Sequence, residues 1–124
     1  MRTELQQKQW EFLIDTITYY TSENRGVDLT KHGNACCYKK GCAIGRHIKD
    51  KGLIYELDFI GSISNISKDL FSKLPTSLQV LTKNFLYDIQ NLHDAITNWD
   101  EYGITQQGIM NVKYIILSFN LNNL

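Results

Sequence analysis

Proline is nearly missing from this sequence: Pro75 is the one example in 124 residues. That excludes polyproline and collagen-like segments and makes Pro75 the clearest boundary along the chain. Net charge is missing as well. Thirteen basic side chains offset thirteen acidic ones, so no global field draws the chain to a nucleic-acid duplex or an anionic membrane. Any attraction for an anion has to be local. No apolar run approaches the ~18 residues of a membrane span, and the opening MRTELQQKQW lacks the apolar stretch of a secretory signal. Cysteine is scarce and crowded: Cys36, Cys37 and Cys42 fall within seven residues. A secreted disulfide scaffold usually carries an even number spread along the chain, so the expectation is reduced thiols and a cytoplasmic protein.

What is present is ordinary for a soluble globular chain, 43% hydrophobic and 21% charged. Residues 1–124 read as a single domain with a modest core. There is no repeat, linker or low-complexity tract. Trp10, Leu13, Ile14, Ile17 and Tyr20 recur at helical spacing, predicting a helix over 3–24 stopped by Gly26. Phe85, Ile89, Leu92, Ile96 and Trp99 step in fours and threes, predicting one long helix over 77–99 capped by Thr76. Ile109, Val112, Ile115, Ile116 and Phe119 predict a last helix capped by Thr105, with Ile104 stapled to Ile109. Between these lie a helix over 42–50 closed by Gly52 and a segment, LIYELDFI, readable as extended or as a helix end. A short helix capped by Ser64 or Asn65 then runs to Leu74, and the final NLNNL is frayed. The expected fold is mainly α (α+β), with four to five helices and at most a small β-hairpin near residues 34–42.

The most basic window is KKGCAIGRH and its continuation: Lys39, Lys40, Arg46, Lys49 and Lys51 against Asp50 alone, with His47 among them. Three readings compete for it. A helix start there offers unpaired N–H groups to a phosphate or carboxylate, with tyrosines as aromatic faces for a base. Gly45, costly by ~1 kcal/mol inside a helix, makes room for a ligand or for another backbone. The bland reading is a solvated turn with one close crossing. The third reading makes Cys42 a nucleophile, its thiol acidified by basic neighbours, with His93 as base. Asp94 is poorly placed to orient His93, because adjacent helical residues point ~100° apart, so a buried structural histidine paired with Gln90 or the cysteine region is preferred. Zinc is a further use for His32, Cys36, Cys37, Cys42 and His47, although no C-x2-C knuckle occurs.

Cys36 and Tyr38, then Cys42, Ala43, Ile44 and Gly45, then Gln90, His93 and Asp94 follow one another over most of the chain. This order resembles a group of small phage and prophage proteins with a Cys-x-Tyr element, a Cys-Ala-Ile-Gly helix start and a later Leu-Gln-x-x-His-Asp helix. The chain departs from them at Arg46-His47-Ile48, where the group often has Leu-Ile-Pro, and in a shorter loop between Tyr38 and Cys42. The resemblance implies an accessory factor acting on host defence in the host cytoplasm. One such strategy is the nucleotide sponge, an oligomeric, non-catalytic protein that sequesters a cyclic-nucleotide or ADP-ribose-type signal.

The expectation is therefore a non-enzymatic, homo-oligomeric binding protein for a phosphate-bearing nucleotide, without cofactor or metal. Its candidate ligand-binding residues are Tyr38, Lys39, Lys40, Gly41, Cys42, Ala43, Gly45, Arg46, Lys49 and His93. The alternatives are a protein-binding inhibitor of a host factor, or a Cys42-dependent hydrolase.

Overall fold

The computed structural model describes residues 1–24, 38 and 41–122. The first helix, α1, spans Glu4–Tyr19. Thr3 and Gln6 cap it reciprocally: the Gln6 N–H donates to Thr3 Oγ1 (3.1 Å) and the Thr3 N–H to Gln6 Oε1 (2.8 Å). Such a box satisfies two of the four unpaired amides at a helix start, about 1 kcal/mol. The buried stripe is Gln9, Leu13 and Thr16, continued by Tyr20. Leu13 and Tyr20 belong to the expected Trp10–Leu13–Ile14–Ile17–Tyr20 stripe, Trp10 and Ile17 pack partly buried against the core, and the two polar members are buried with partners. Gln9 Nε2 donates to the Leu81 carbonyl (2.9 Å), and Thr16 Oγ1 to that of Phe12 (2.8 Å). The expected stop at Gly26 lies outside the described residues.

Residues 42–50 do not form the expected helix. A single 3-10 turn, Gly45–His47, is all the helix there is. Asp50 then accepts from the N–H groups of Gly52 and Leu53 and opens α2, Lys51–Ile60. Gly52, expected to close a helix over 42–50, thus lies in the first turn of α2, and all of LIYELDFI is helical. A 3-10 turn, Ile63–Asn65, and the four-residue α3, Lys68–Phe71, follow under Ser62 and Ser67 caps.

The long helix expected over 77–99 is three pieces: α4 (Thr76–Gln79), α5 (Lys83–Asp94) and a 3-10 turn, Ile96–Asn98. The break sits at Thr82, whose φ is 75°. In a continuous helix the Phe85 N–H would donate to the Leu81 carbonyl. Here Gln9 takes that carbonyl, and Thr82 Oγ1 caps the Phe85 N–H (3.4 Å). A contact from α1 therefore replaces the bond that would have carried the helix through.

A two-stranded antiparallel hairpin follows, β1 (Trp99–Asp100) and β2 (Gly103–Ile104), in register Trp99 with Ile104 and Asp100 with Gly103. This hairpin comes later in the sequence than the one expected near residues 34–42. There only Tyr38, Gly41 and Cys42 are described, and none is in a strand. The last helix, α6, is Gln106–Ser118, and Thr105 caps it as expected through the Gly108 N–H (3.1 Å).

Helix α5 is the centre of the packing. Phe85, Leu86, Ile89, Gln90, Leu92 and His93 are all buried on it, and α1, α6 and the Ile63–Asn65 turn lie against it. The described fold is mainly helical, six helices and one hairpin. Among the described residues no helix is long and apolar enough to cross a membrane.

Candidate functional site

The loop that carries the basic window is bolted to the core by tyrosines. The Tyr38 hydroxyl donates to the Gly61 carbonyl (2.6 Å) and accepts from Gln90 Nε2 (2.8 Å). Its backbone N–H donates to Asp58 Oδ1 (2.7 Å). Gln90 is committed on its other side too, Oε1 accepting from the Ile63 N–H (2.9 Å). From α1, the Tyr20 hydroxyl donates to the Gly41 carbonyl (2.8 Å). Burial drives both phenols up, Tyr20 to about 12 and Tyr38 higher still, so both act as neutral hydrogen-bonding groups.

Gly45 answers the question of what its missing side chain admits. A Cβ there would lie 2.6 Å from Tyr38 Cα. The space is filled by the protein's own backbone. Cys42 and Ala43 are buried beside it, and the Gly45 N–H points at Cys42 Sγ (3.4 Å). Cys42 is disulfide-bonded, which corrects the expectation of reduced thiols at this position. The other two cysteines, Cys36 and Cys37, lie outside the described residues, as do Lys39, Lys40 and His32. Among the described residues no three His, Cys, Asp or Glu side chains are grouped to hold a metal ion.

His93 is buried in the core, its ring edge-on to Tyr20 (centroids 4.7 Å apart). Its Nδ1 meets Asp94 Oδ1 at 2.8 Å, which corrects the expectation that Asp94 cannot orient it. The pair closes α5, of which Asp94 is the last residue.

Arg46 and His47 are the members of the window that reach a groove. Their 3-10 turn sets them against α1. Arg46 Nη2 pairs with Asp15, and the guanidinium lies over the Tyr19 ring, 3.9 Å from its centroid. The His47 ring packs on Phe12 (4.9 Å), with Nε2 3.9 Å from Asp15 Oδ2, beyond hydrogen-bond reach. Phe12, Asp15, Arg46 and His47 form one wall of a groove of about 540 Å³, and Ser77 and Val80 from α4 and its end form the other. Lys8 stands at its rim, engaged by Glu4 at 3.3 Å. Arg46 Nε and His47 Nε2 are shielded from water and make no hydrogen bond among the described residues. Burial, then the Arg46 charge, lowers the His47 pKa below its ordinary value, with Asp15 opposing. The imidazole is therefore neutral at neutral pH.

Eight of the ten expected site residues are described, all but Lys39 and Lys40, and the fold does not gather them into one pocket. Arg46 lines the groove. Tyr38, Cys42, Ala43, Gly45 and His93 are buried, and Gly41 lies half-buried at the Tyr20 clamp. Lys49 is exposed on a separate depression with Lys73 and Pro75. The sequence reading missed Phe12, Asp15 and Val80 as groove residues. The spacing 12, 15, 19 puts Phe12, Asp15 and Tyr19 on one face of α1, a signal present in the sequence, but no pattern couples that face to residue 46. No protein-family model, curated protein or solved structure matches the chain.

Proposed function

We propose that the chain is a non-enzymatic binding protein whose groove between α1 and α4 holds a small phosphate-bearing compound of nucleotide or ADP-ribose type. The observation that carries this reading is the pair of shielded nitrogens, Arg46 Nε and His47 Nε2, left without hydrogen-bond partners. Arg46 Nε–H is a donor in every state, and His47 Nε2 is one in the tautomer that carries the proton there; a buried donor with no acceptor costs about 1–3 kcal/mol. A phosphate oxygen in the groove would remove that cost once the two side chains turn toward it, and Phe12 offers an aromatic face beside it. Arg46 Nη2 is committed to Asp15, and the Nε–H is the donor left without an acceptor. The phosphate holders of this reading are side chains of the 3-10 turn and not backbone amides near Gly41 to Ala43, since Cys42 and Ala43 are buried and the Gly41 N–H donates to the Tyr38 carbonyl (3.1 Å).

Tight binding without turnover is what sequestering a host defence signal requires, and the phage-protein resemblance supports that role. The hydrolase reading loses support, because Cys42 is fully buried and disulfide-bonded.

Calorimetric titration with ADP-ribose isomers and cyclic dinucleotides tests the proposal. At least one should bind, and Arg46→Ala and His47→Ala should each weaken it at least about tenfold. Circular dichroism checks that both variants remain folded. Absence of heat with every compound sinks the reading.

A protein-binding inhibitor is the second reading, favoured by Tyr55 and Phe59, one turn apart on α2 and 76% and 88% exposed. For that role Tyr55→Ser with Phe59→Ser should abolish inhibition of the host factor while leaving nucleotide titrations unchanged.

A further inference from the structure

Helix α6 carries its apolar residues on two faces. Gly108, Val112 and Ile115 point into the core. On the opposite side Met110, Tyr114 and Leu117 are 64%, 68% and 67% exposed. At 100° per residue, Met110 and Leu117 stand at the solvent pole of the helix and Tyr114 about 50° to one side. A surface helix ordinarily turns charged and polar groups to that pole. An apolar stripe in their place marks a face that another surface covers.

The charges beside the stripe indicate the occupant. Lys113 is exposed on one edge and has no ion pair among the described residues. Across the stripe, Asp88 of α5 meets Asn111 and Tyr114 in a depression of about 210 Å³. Asp88 likewise has no ion pair there, and burial raises its carboxyl pKa, so a cation delivered to it would be favoured. One chain thus carries both halves of a charge pair, on opposite edges of one apolar face. A two-fold axis parallel to the helices brings opposite edges together. Antiparallel packing would instead bring each edge onto its own copy, cation on cation.

We propose that this face binds a second copy of the chain, with the two α6 helices parallel and Lys113 of each protomer against Asp88 of the other. The proposal is independent of the groove and its ligand. Three α6 side chains make a modest contact, so the dimer dissociates on dilution.

Sedimentation velocity from low micromolar to submillimolar concentration reads the association directly. The unaltered chain should pass from monomer to dimer, and Leu117→Asp should remain monomeric. Asp88→Lys and Lys113→Asp should each weaken the dimer about tenfold. Combined, they should restore it, because the reversed pair attracts as the original does. Thermal melts establish that each variant is folded, and the restored double variant answers any fold loss in a single one. A chain that stays monomeric at every concentration overturns the proposal. So does a dimer on which the two reversals act additively.

Discussion

Gly45 lies so close to Tyr38 that a methyl group on it would come within 2.6 Å of the tyrosine Cα. The contact is backbone to backbone, so neither side can yield by turning a side chain. Gly45→Ala should destabilise the fold by about 1–3 kcal/mol, the usual cost of forcing an extra carbon into a packed site. Urea unfolding measures it, and an unchanged midpoint would mean that the loop does not sit on the core this way.

Gln90 serves two partners at once, accepting from the Ile63 N–H and donating to the Tyr38 hydroxyl. Gln90→Ala should cost about 2–4 kcal/mol, combining a lost buried contact with a stranded amide. Tyr38→Phe alone should cost about 1–2 kcal/mol. The double variant should lose less than the sum of the two single losses, because they share one bond.

His47 makes stability depend on pH. Its pKa is lower in the folded chain, through burial and Arg46, so the unfolded chain takes up a proton first. Its contribution is complete above the unfolded value of about 6.5 and is lost as the pH falls from there through the folded value. Melting temperatures should accordingly drop as the pH falls below about 7. His47→Gln should flatten that part of the curve, and a variant with the original slope would assign the effect elsewhere.

Cys42 predicts a dependence on reductant. Dithiothreitol should lower stability by about 2 kcal/mol, the low end for a disulfide. Cys42→Ser should match the reduced protein and no longer respond. Iodoacetamide should leave Cys42 unlabelled in the native, oxidised chain, which peptide mass mapping reads directly.

Much of the helical fold is legible in residue spacing. Helices α5 and α6 follow the apolar steps through Phe85, Ile89 and Leu92 and through Val112 and Ile115. Thr105 caps where a threonine before such a run should. The errors share one cause: backbone groups claimed by partners distant in sequence. The break at Thr82 depends on Gln9 taking a carbonyl 72 residues away, and the burial of Gln9 depends on the same bond. At 42–50, Ile44 and Ile48 mimic one helical turn, whereas both are buried around the 3-10 turn that Tyr38 and Gly45 lock in place. The Asp50 cap, an aspartate before Lys-Gly-Leu, was readable, but the basic residues around it drew the helix too early. For the groove, Arg46 stood out by charge. Phe12 and Asp15 passed as ordinary helix surface, since only tertiary packing sets them opposite residues 46 and 47.

Arg2 Nε donates to the Leu121 carbonyl at 2.6 Å, across 119 positions of sequence. The guanidinium also stacks on Trp10, 4.2 Å from the ring centre. Dyes attached near these two positions would therefore sit almost in contact while the chain is folded. The same chain unfolded has a radius of gyration of about 35 Å, so energy transfer between the dyes would collapse on melting. The clasp is a built-in reporter, able to follow folding in a living cell without any knowledge of the ligand.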